Sequence, residues 1–263
     1  MIRALYSAAS GMTAQQMNVD NIAHNLANAN TAGFKARRAQ FQDLLYQTLS
    51  QPGAAASQQS AVPTGLQLGL GTRAASNEII FAQGDFSATN NPLDMVIQGK
   101  GFFQIRRASG DLAYTRAGSF QLNRDGSLVT SDGDLVEPQI TIPQNAQTIT
   151  IATDGTVSFT QPGQTAAQKA GQIQLANFQN PAGLNSIGRN LYLPTDSSGD
   201  AIVGNPGGAE GLGTLLQGYI EQSNVSVVDE FVNLIVSQRA YEANSKVVKA
   251  ADEMYQQVNN ISQ

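Results

Sequence analysis

The chain lacks several residue types, and each absence excludes a class of function. It has no cysteine, which rules out disulfides, thiolate metal sites and a cysteine nucleophile, and it has no tryptophan. A single histidine, His24, is the only side chain whose unperturbed pKa lies near neutrality. Charged residues make up 13% of the chain, about half the share usual in globular proteins. The densest basic cluster holds only Lys35, Arg37 and Arg38, so we expect no nucleic-acid surface.

Long apolar runs are also absent. The apolar stretch near the N-terminus is interrupted by Ser7, Ser10 and Gly11, whereas a cleavable signal peptide needs an unbroken stretch of about 7–15 residues. No window reaches the roughly 18 apolar residues of a membrane-spanning helix. We therefore expect neither a cleaved signal peptide nor insertion into a membrane. In place of charge the chain carries 28 glutamines and 20 asparagines, and its 41% of hydrophobic residues is enough for a buried core.

Both ends of the chain show helical periodicity. In residues 1–30 apolar side chains recur at the a and d spacing of a heptad, and Thr31-Ala32-Gly33 supplies a stop because glycine accepts left-handed backbone. Near the other end, Ser226 and Asp229 fit a capping box at the start of a second helix. The seams of these two assembly helices are expected to consist of Leu5, Met12, Val19, Ile22 and Leu26 in the first and Val225, Val228, Val232, Ile235, Val247, Met254 and Val258 in the second.

The middle of the chain is patterned differently. Residues 49–65 are rich in proline, glycine, serine and glutamine, which predicts an extended or loop-like segment. Between about 93 and 193, short apolar runs alternate with turn signals at the spacing of all-β folds, and three Asp-Gly pairs predict hairpins with type I′ turns. The sequence thus predicts an α+β chain with long terminal helices that form a coiled-coil-like pair, extended connecting segments and a central all-β domain.

Candidate catalytic residues lack the partners that chemistry requires. As a general base His24 would need a partner such as Asp20, one turn earlier, together with a nucleophile and a pocket, so this side chain is more typical of helix packing or of a helix surface. The turn aspartates stand beside glycines, where aspartate is favoured by local hydrogen bonding. Gly99-Lys100-Gly101 resembles part of a phosphate loop but completes no such motif, and Arg116 is expected on a solvated strand face. We expect no catalytic, cofactor-binding or metal site, and therefore no enzyme.

The two terminal helices leave more than one interpretation open. Their apolar stripes are narrow and rich in alanine, so at about 25 cal/mol per Å² a lone helix pair would be marginally stable. They could pack as an intramolecular hairpin or form a discrete dimeric coiled coil. They could also repeat among many subunits and so build a continuous core. We expect an oligomer or a polymer, with a surface-acting hydrolase as the rival outside this class.

Motifs at both ends and in the middle of the chain resemble those of the bacterial flagellar rod and hook proteins. The first runs from Ser10 to Lys35 and the last from Glu221 to Met254. Between them, Gly99-Lys-Gly-Phe-Phe103 and the stretch 114–129 resemble the central β domain of the family. The residues carried over from the terminal motifs are Asn25, Asn28, Thr31, Gly33, Ser223, Asn224, Arg239, Tyr241, Glu242 and Asn244.

One further stretch resembles a particular branch of this family. Residues 43–48, followed by Gln51-Pro52-Gly53 and Pro63-x-Gly65, are similar to an insertion of the distal-rod branch, which is associated with a straight, stiff tube. The alternatives are a proximal rod protein, a related rod or hook paralogue, and a discrete coiled-coil adaptor. The length of the chain argues against a hook protein, which usually carries an additional outer domain.

The resemblance implies three layers and a structural function. Residues 1–33 plus 224–263 would form a helical inner domain, 34–92 plus 194–223 a connecting domain that includes the insertion 46–65, and 93–193 a central β domain. Many copies would stack into a hollow helical drive shaft that carries motor torque to the hook, without a cofactor.

The same resemblance implies a location and a set of partners. The chain would leave the cytoplasm through the flagellar type III export apparatus and become part of the basal-body rod that spans the periplasm. Its neighbours would be further copies of itself, proximal rod proteins, the hook or hook-junction protein, the surrounding L and P ring proteins and, during assembly, the rod cap.

Overall fold

The computed structural model describes residues 2–51, 55–57, 60–61, 64–164, 166–208 and 211–261. The chain folds into two compact units. The helical unit comprises residues 1–27, 37–79 and 226–263, and the β unit comprises residues 28–36 and 80–225. The predicted α+β class is confirmed, because helices form both ends of the chain and many strands lie between them. The finer division into three layers stays a prediction.

The helical unit contains two long helices, α1 (Ile2–Ala27) and α2 (Val227–Ile261). The predicted stop after α1 is wrong in its position: the helix ends at Ala27, six residues before Gly33, which has the expected positive φ of 72° but donates its N–H to the carbonyl of Glu221. At the start of α2, the Asp229 N–H donates to Ser226 Oγ at 3.4 Å, which is one of the two hydrogen bonds of a capping box. Local chemistry therefore sets the start of α2.

The remainder of the helical unit is a set of nested antiparallel strand pairs. β1 pairs with β6, β2 with β5, and β3 with β4. The segment 49–65, predicted as extended or loop-like, therefore contains strands, because a ladder uses only backbone groups and tolerates a polar composition. Pro52, Gly53 and Pro63 of the family insertion lie outside the described residues. The strands are β1 (Arg37–Asp43), β2 (Tyr46–Ser50), β3 (Ala55–Ser57), β4 (Ser60–Ala61), β5 (Leu66–Gly69) and β6 (Thr72–Ile79).

The β unit is built from short strands and one 3-10 helix, Pro181–Gly183. Its strands are β7 (Phe86–Ala88), β8 (Met95–Gln98), β9 (Phe102–Arg106), β10 (Leu112–Thr115), β11 (Phe120–Leu122), β12 (Leu128–Thr130), β13 (Leu135–Glu137), β14 (Thr148–Ile151), β15 (Thr156–Thr160), β16 (Gln168–Gln172), β17 (Leu175–Asn177), β18 (Asn185–Gly188), β19 (Leu191–Leu193), β20 (Ile202–Gly204), β21 (Thr214–Gln217) and β22 (Tyr219–Glu221). All of the pairings between them are antiparallel.

The largest sheet of the β unit follows the order β11-β12-β13-β9-β10-β19-β18, with β17 also on β9 and β20 on β17. A smaller sheet has the order β14-β15-β16, and β8 and β7 pair with β21 and β22. The hydrophobic core includes Met95, Phe103 and Ile105, but also Leu212 and Leu215, which lie beyond residue 193. The return segment of the chain therefore completes the core.

The three Asp-Gly pairs do form hairpin connections, but their turn type differs from the prediction. Gly126, Gly133 and Gly155 have φ of 76°, 88° and 82°, and the N–H of each donates to the carbonyl three residues earlier. That pattern is a type I turn followed by a left-handed glycine, a common three-residue hairpin loop. The two consecutive positive φ angles of a type I′ turn occur instead at Arg189 and Asn190, between β18 and β19.

Candidate functional site

Helices α1 and α2 pack against each other in antiparallel directions, with polar side chains between them. Asn25 Nδ2 donates to Glu230 Oε1 at 2.9 Å, and Asn18 Nδ2 donates to Ser237 Oγ at 2.8 Å. Each step of seven residues down α1 matches a step of seven up α2, so these contacts define one register. We call the set the polar ladder: Asn25–Glu230, Asn18–Ser237 and Gly11–Asn244.

The third rung of the polar ladder depends on a missing side chain. A Cβ placed on Gly11 would lie 2.8 Å from Asn244 Nδ2, so the Asn244 amide would have to move aside. On α2 the next heptad position is Ala251, which is 2% exposed. Small residues at these positions allow the two helix backbones to lie close together. The family residues Asn25 and Asn244 are therefore both part of this internal contact.

The apolar residues predicted as the seam of α2 lie elsewhere on the helix. Six of them stay exposed: Val228, Val232, Ile235, Val247, Met254 and Val258. Val225 was predicted in this helix but precedes it, because α2 begins at Val227, and it is half-buried. In α1, Leu5, Met12, Val19 and Leu26 are half-buried and Ile22 is buried. The apolar spacing correctly indicates a second face of α2, but the first face, the one against α1, is small and polar.

The exposed apolar residues are concentrated in the first three turns of α2. We call this surface the outer face of α2, and Val228 and Val236 are its most exposed members, at 72% and 62%. Exposed apolar patches of this kind mark surfaces that bind other proteins. The outer face of α2 consists of Val227, Val228, Phe231, Val232, Ile235 and Val236.

Asn25 has a second function within the helical unit. Its side chain is buried, its Oδ1 accepts the N–H of Arg37 at 2.9 Å, and its Nδ2 donates to the carbonyl of Arg37 at 2.8 Å. An asparagine amide is one of the few side chains that can pair with both backbone groups of one residue. Asn25 therefore ties the end of α1 to the start of β1.

In the β unit, the other family residues hold three chain segments together. The Gly33 N–H donates to the carbonyl of Glu221 at 2.8 Å, and the Ala36 N–H donates to Asn224 Oδ1 at 2.7 Å. Asn224 Nδ2 donates in turn to the carbonyl of Ile80 at 2.8 Å. Gly33 also needs to be glycine for space, because a Cβ there would lie 2.6 Å from the backbone nitrogen of Ala117.

Two further family residues act locally. Thr31 Oγ1 donates to Asn28 Oδ1 at 3.2 Å, within the turn that follows α1. Ser223 Oγ accepts the N–H of Val225 at 3.3 Å, just before α2 begins. Both hydrogen bonds satisfy side chains near a helix end, where serine, threonine and asparagine are favoured for this purpose.

A buried ion network lies where these segments meet. Lys35 Nζ contacts Glu221 Oε1 at 2.6 Å, and the Arg116 guanidinium contacts Glu221 Oε2 at 3.0 Å. The side chains of the three residues are 0%, 1% and 6% exposed. The expectation of a solvated Arg116 was wrong. We call these three residues the Glu221 network.

The glycines on either side of Lys100 complete the Glu221 network. Arg116 Nη1 donates to the carbonyls of Gly99 and Gly101 at 2.9 and 2.7 Å. Both glycines have positive φ, 111° and 135°. A phosphate-binding loop presents N–H groups to an anion, whereas these glycines present carbonyl oxygens to a cation. This glycine loop therefore binds a cation, the opposite of the anion that a phosphate-binding loop holds.

The environment of the network shifts two of its pKa values. Burial lowers the pKa of the Lys35 ammonium group, because the charged form loses its hydration, and the attraction of Glu221 opposes that shift. Burial alone would raise the pKa of Glu221, but the charges of Arg116 and Lys35 outweigh it and hold that pKa below its ordinary value. The arrangement therefore favours an ionised carboxylate between two cations.

The remaining candidate residues are on the surface of the helices. Arg239 Nη1 contacts Glu242 Oε2 at 2.9 Å, and both side chains are exposed, as is Tyr241. His24 is also exposed. Within the described ranges, no group of three or more histidine, aspartate or glutamate side chains is arranged to hold a metal ion.

Three regions of the chain match models of known protein families. Residues 5–35 match the family model of flagella basal body rod proteins, residues 96–159 match the flagellar hook protein FlgE/F/G D1 domain, and residues 216–261 match the C-terminal model of the flagellar basal body rod FlgEFG proteins.

Full-length relatives carry the same description. The chain is 52% identical over 261 residues to the flagellar basal-body rod protein FlgG of Caulobacter vibrioides, with 99% of each chain covered. It is 48% identical to the proteins of that name from Borreliella burgdorferi, with 99% of each chain covered, and from Buchnera aphidicola subsp. Schizaphis graminum, with 99% of this chain and 100% of the relative covered. The chain belongs to the flagellar basal-body rod protein family. The resemblance drawn from its motifs is confirmed.

The three matched regions of the rod-protein family coincide with the contacts described above. The polar ladder joins the first region to the third. The Glu221 network takes Lys35 from the first region, Arg116 from the second and Glu221 from the third. Lys35 and Glu221 belong to the terminal sequence motifs of the family, but their positions in the sequence did not indicate that their side chains are in contact.

Proposed function

We propose that this chain is the structural subunit of a flagellar distal rod, and that copies of it polymerise into a hollow helical drive shaft carrying motor torque to the hook. Relatives that match the chain over nearly its whole length and are named flagellar basal-body rod protein support this proposal. In this proposal the chain is not an enzyme and binds neither a cofactor nor nucleic acid.

The outer face of α2 is the observation that carries the proposal. Its six large apolar side chains lie within ten residues, and all are at least 41% exposed. Burying a side chain of this size contributes about 1.5–3 kcal/mol. The opposite side of α2 already contacts α1 through the polar ladder. Further copies of the chain would cover the outer face and build a continuous core.

The helix pair has a specific arrangement in this proposal. The heptad register of the polar ladder supports a coiled-coil-like pair, in which polar contacts set the register and outer apolar contacts supply the stability. The pair would form the inner layer of the rod and line its export channel. The residues 34–92 plus 194–223 would connect that layer to an outer β domain of residues 93–193.

The proposal also covers location and partners. The rod would span the periplasm after type III export, would contact proximal rod proteins, the hook or hook-junction protein and the L and P rings, and would grow beneath a rod cap. In the part of the chain that the structure describes, neither helix is long and apolar enough to cross a membrane.

The test is to place a charge on the outer face of α2. Ile235→Asp changes a side chain that is 58% exposed, so the folded single chain should keep its circular dichroism and melting temperature. Polymers seen by sedimentation and electron microscopy should be lost, because assembly would bury an unpaired charge. The matched control is Ile202→Asp, a change of the same kind at a 50% exposed site of β20.

The outcomes separate the candidates. Polymers of Ile235→Asp that match those of the unchanged chain would reject the outer face as the assembly surface. A fixed small oligomer of the unchanged chain in light scattering would favour a discrete coiled-coil adaptor instead.

A further inference from the structure

We propose that the Glu221 network is a clasp that shares mechanical load among the three chain segments leading out of the β unit. These segments are 28–36, 80–85 and 219–225. The chain passes between the two units at 27/28, 36/37, 79/80 and 225/226, so every force carried covalently between the units enters through one of these segments. The load-bearing role rests on the proposed function; the clasp itself rests on the geometry below.

One carboxylate oxygen joins all three segments. Glu221 Oε1, in the third segment, accepts hydrogen bonds from Lys35 Nζ in the first at 2.6 Å and from the Gly84 N–H in the second at 3.0 Å. Lys35 Nζ also donates to the carbonyl of Ala82 at 2.7 Å, which ties the first segment directly to the second. A pull on any one segment therefore acts on the other two.

The other carboxylate oxygen anchors the clasp to the sheet. Arg116 Nε donates to Glu221 Oε2 at 3.0 Å, and the guanidinium is held in turn by the carbonyls of Gly99 and Gly101. Arginine suits this position because its planar group offers five donors in a fixed geometry. The load taken up by the three segments is thus passed to the strands on either side of these glycines.

Stability alone does not account for such a network. Two cations and one anion are buried together, and apolar replacements of buried ion pairs are often neutral or stabilising. Breaking such a pair by removing one charge is costly, however, because the remaining charge stays buried without a partner. A network of this kind fixes geometry and resists separation of its parts, which is the property that a load-bearing joint requires.

The test is to pull on single full-length chains with an optical trap. Because the chain has no cysteine, Arg3→Cys and Gln257→Cys, both at exposed positions in the two helices, provide unique attachment points. Glu221→Gln keeps the volume of the side chain but leaves the buried charges of Lys35 and Arg116 without their carboxylate partner. We expect the β unit to release its segments at least about tenfold faster at a fixed force.

A matched control and a second variant keep the result decisive. Glu137→Gln breaks a pair of the same kind in the same unit, but one whose side chains are 29% and 52% exposed, so its release rate should stay unchanged. Lys35→Met leaves the neutral Arg116–Glu221 pair in place, and its release should be faster than that of the unchanged chain but slower than that of Glu221→Gln. If Glu221→Gln fails to fold, the release rate of Lys35→Met is compared with that of the unchanged chain instead.

Two results would overturn the clasp. One is a release rate for Glu221→Gln, or for Lys35→Met, equal to that of the unchanged chain. The other is a lowered melting temperature with no change in release under force, which would make the network an ordinary part of the core. The measurement uses single chains, so it stands whether or not the chain polymerises. A failure of the Ile235→Asp test would reject the outer face of α2 as the assembly surface and leave this result intact.

Discussion

The two units of this chain bury their apolar residues to very different extents. Of the 24 large apolar side chains that stay exposed among the described residues, five lie in the β unit: Phe86, Leu112, Ile187, Ile202 and Val203. All the others lie in the helical unit. The buried apolar residues among those described show the reverse, because the helical unit contributes only Ala8, Ala14, Ile22, Ile79 and Ala251 to them.

This difference explains how one chain can be both a folded domain and a polymer subunit. The β unit closes a core from its own strands, and three of its buried charged residues are paired within the Glu221 network. The polar ladder of the helical unit consists of polar and small residues, and the outer face of α2 leaves six large apolar side chains exposed. Because apolar burial is the main driving force of folding and association, the proposed polymer would give the helical unit most of its stability.

Removing both helices is the strongest way to break this comparison, although residues 37–79 of the helical unit stay in the fragment. A fragment of residues 28–225 retains the core residues Leu212 and Leu215 and the complete Glu221 network. We expect it to be folded and monomeric, with cooperative melting and no polymers by electron microscopy. An unfolded fragment would show that the β unit depends on the helices for its stability.

A shorter fragment provides the control for that cut. Residues 93–193 lack Leu212 and Leu215 and leave Arg116 without Glu221. We expect this fragment to be far less stable than 28–225, and equal stability of the two would mean that the return segment contributes little to the core.

The features that could be predicted from the sequence are those set by neighbouring residues. The start of α2 follows from Ser226 and Asp229, whereas α1 ends at Ala27, six residues before the glycine that was expected to stop it. The Asp-Gly hairpins were found for the same reason. The turn type of these hairpins was predicted wrongly, because it depends on how many residues each flanking strand contributes to the ladder.

The Glu221 network could not be predicted, because it is built from distant residues. Glu221 lies 186 residues from Lys35 and 105 residues from Arg116. Composition places charged side chains on the surface by default, so only the fold shows that these three meet inside. The strands within 46–69 were missed for a related reason, since their pairing is non-local.

The candidate assembly surface was predicted in part. Periodicity correctly indicates that α2 has an apolar stripe, but it does not say which neighbour that stripe meets. The stripe that faces α1 has the same seven-residue spacing and consists of Glu230, Ser237, Asn244 and Ala251. Small and polar residues carry no hydrophobic signal, so this stripe can be recognised only from the contacts.

A pair of truncations compares the two units at single residues. Leu215→Ala removes a side chain that is 1% exposed in the β unit, and it should lower the free energy of unfolding by about 2–5 kcal/mol because it leaves a cavity. Val228→Ala removes one that is 72% exposed on the outer face of α2, and it should change the same quantity by less than about 0.5 kcal/mol. Urea unfolding of the monomer measures both changes.

The effect of Val228→Ala should appear in polymerisation and not in the stability of the monomer. Val228→Ala should raise the concentration needed for polymerisation, because each copy loses apolar area at the interface. If Val228→Ala destabilises the monomer as much as Leu215→Ala does, then α2 already buries this side chain in the single chain, and the contrast between the units fails.

The smallest expected effect is on the pH dependence of stability. It tests whether ion pairs stabilise the β unit in addition to apolar burial. Because Arg116 and Lys35 hold the pKa of Glu221 below its value in the unfolded chain, the folded state binds the proton less readily. The stability that this carboxylate contributes is therefore present above its unfolded pKa and is lost as the pH falls toward its folded pKa. Thermal melting between neutral and acid pH should show a steeper loss for the unchanged chain than for Glu221→Gln.

Asp154 needs to be removed from this measurement. Its pKa is also lowered, mainly by the N–H of Thr156, so it adds a loss in the same direction. Both chains should therefore carry Asp154→Asn. Equal slopes for the two chains would mean that Glu221 titrates as it does in the unfolded state. The buried ion pairs would then contribute geometry without a pH-dependent gain in stability, and the closure of the β unit would rest on its apolar core.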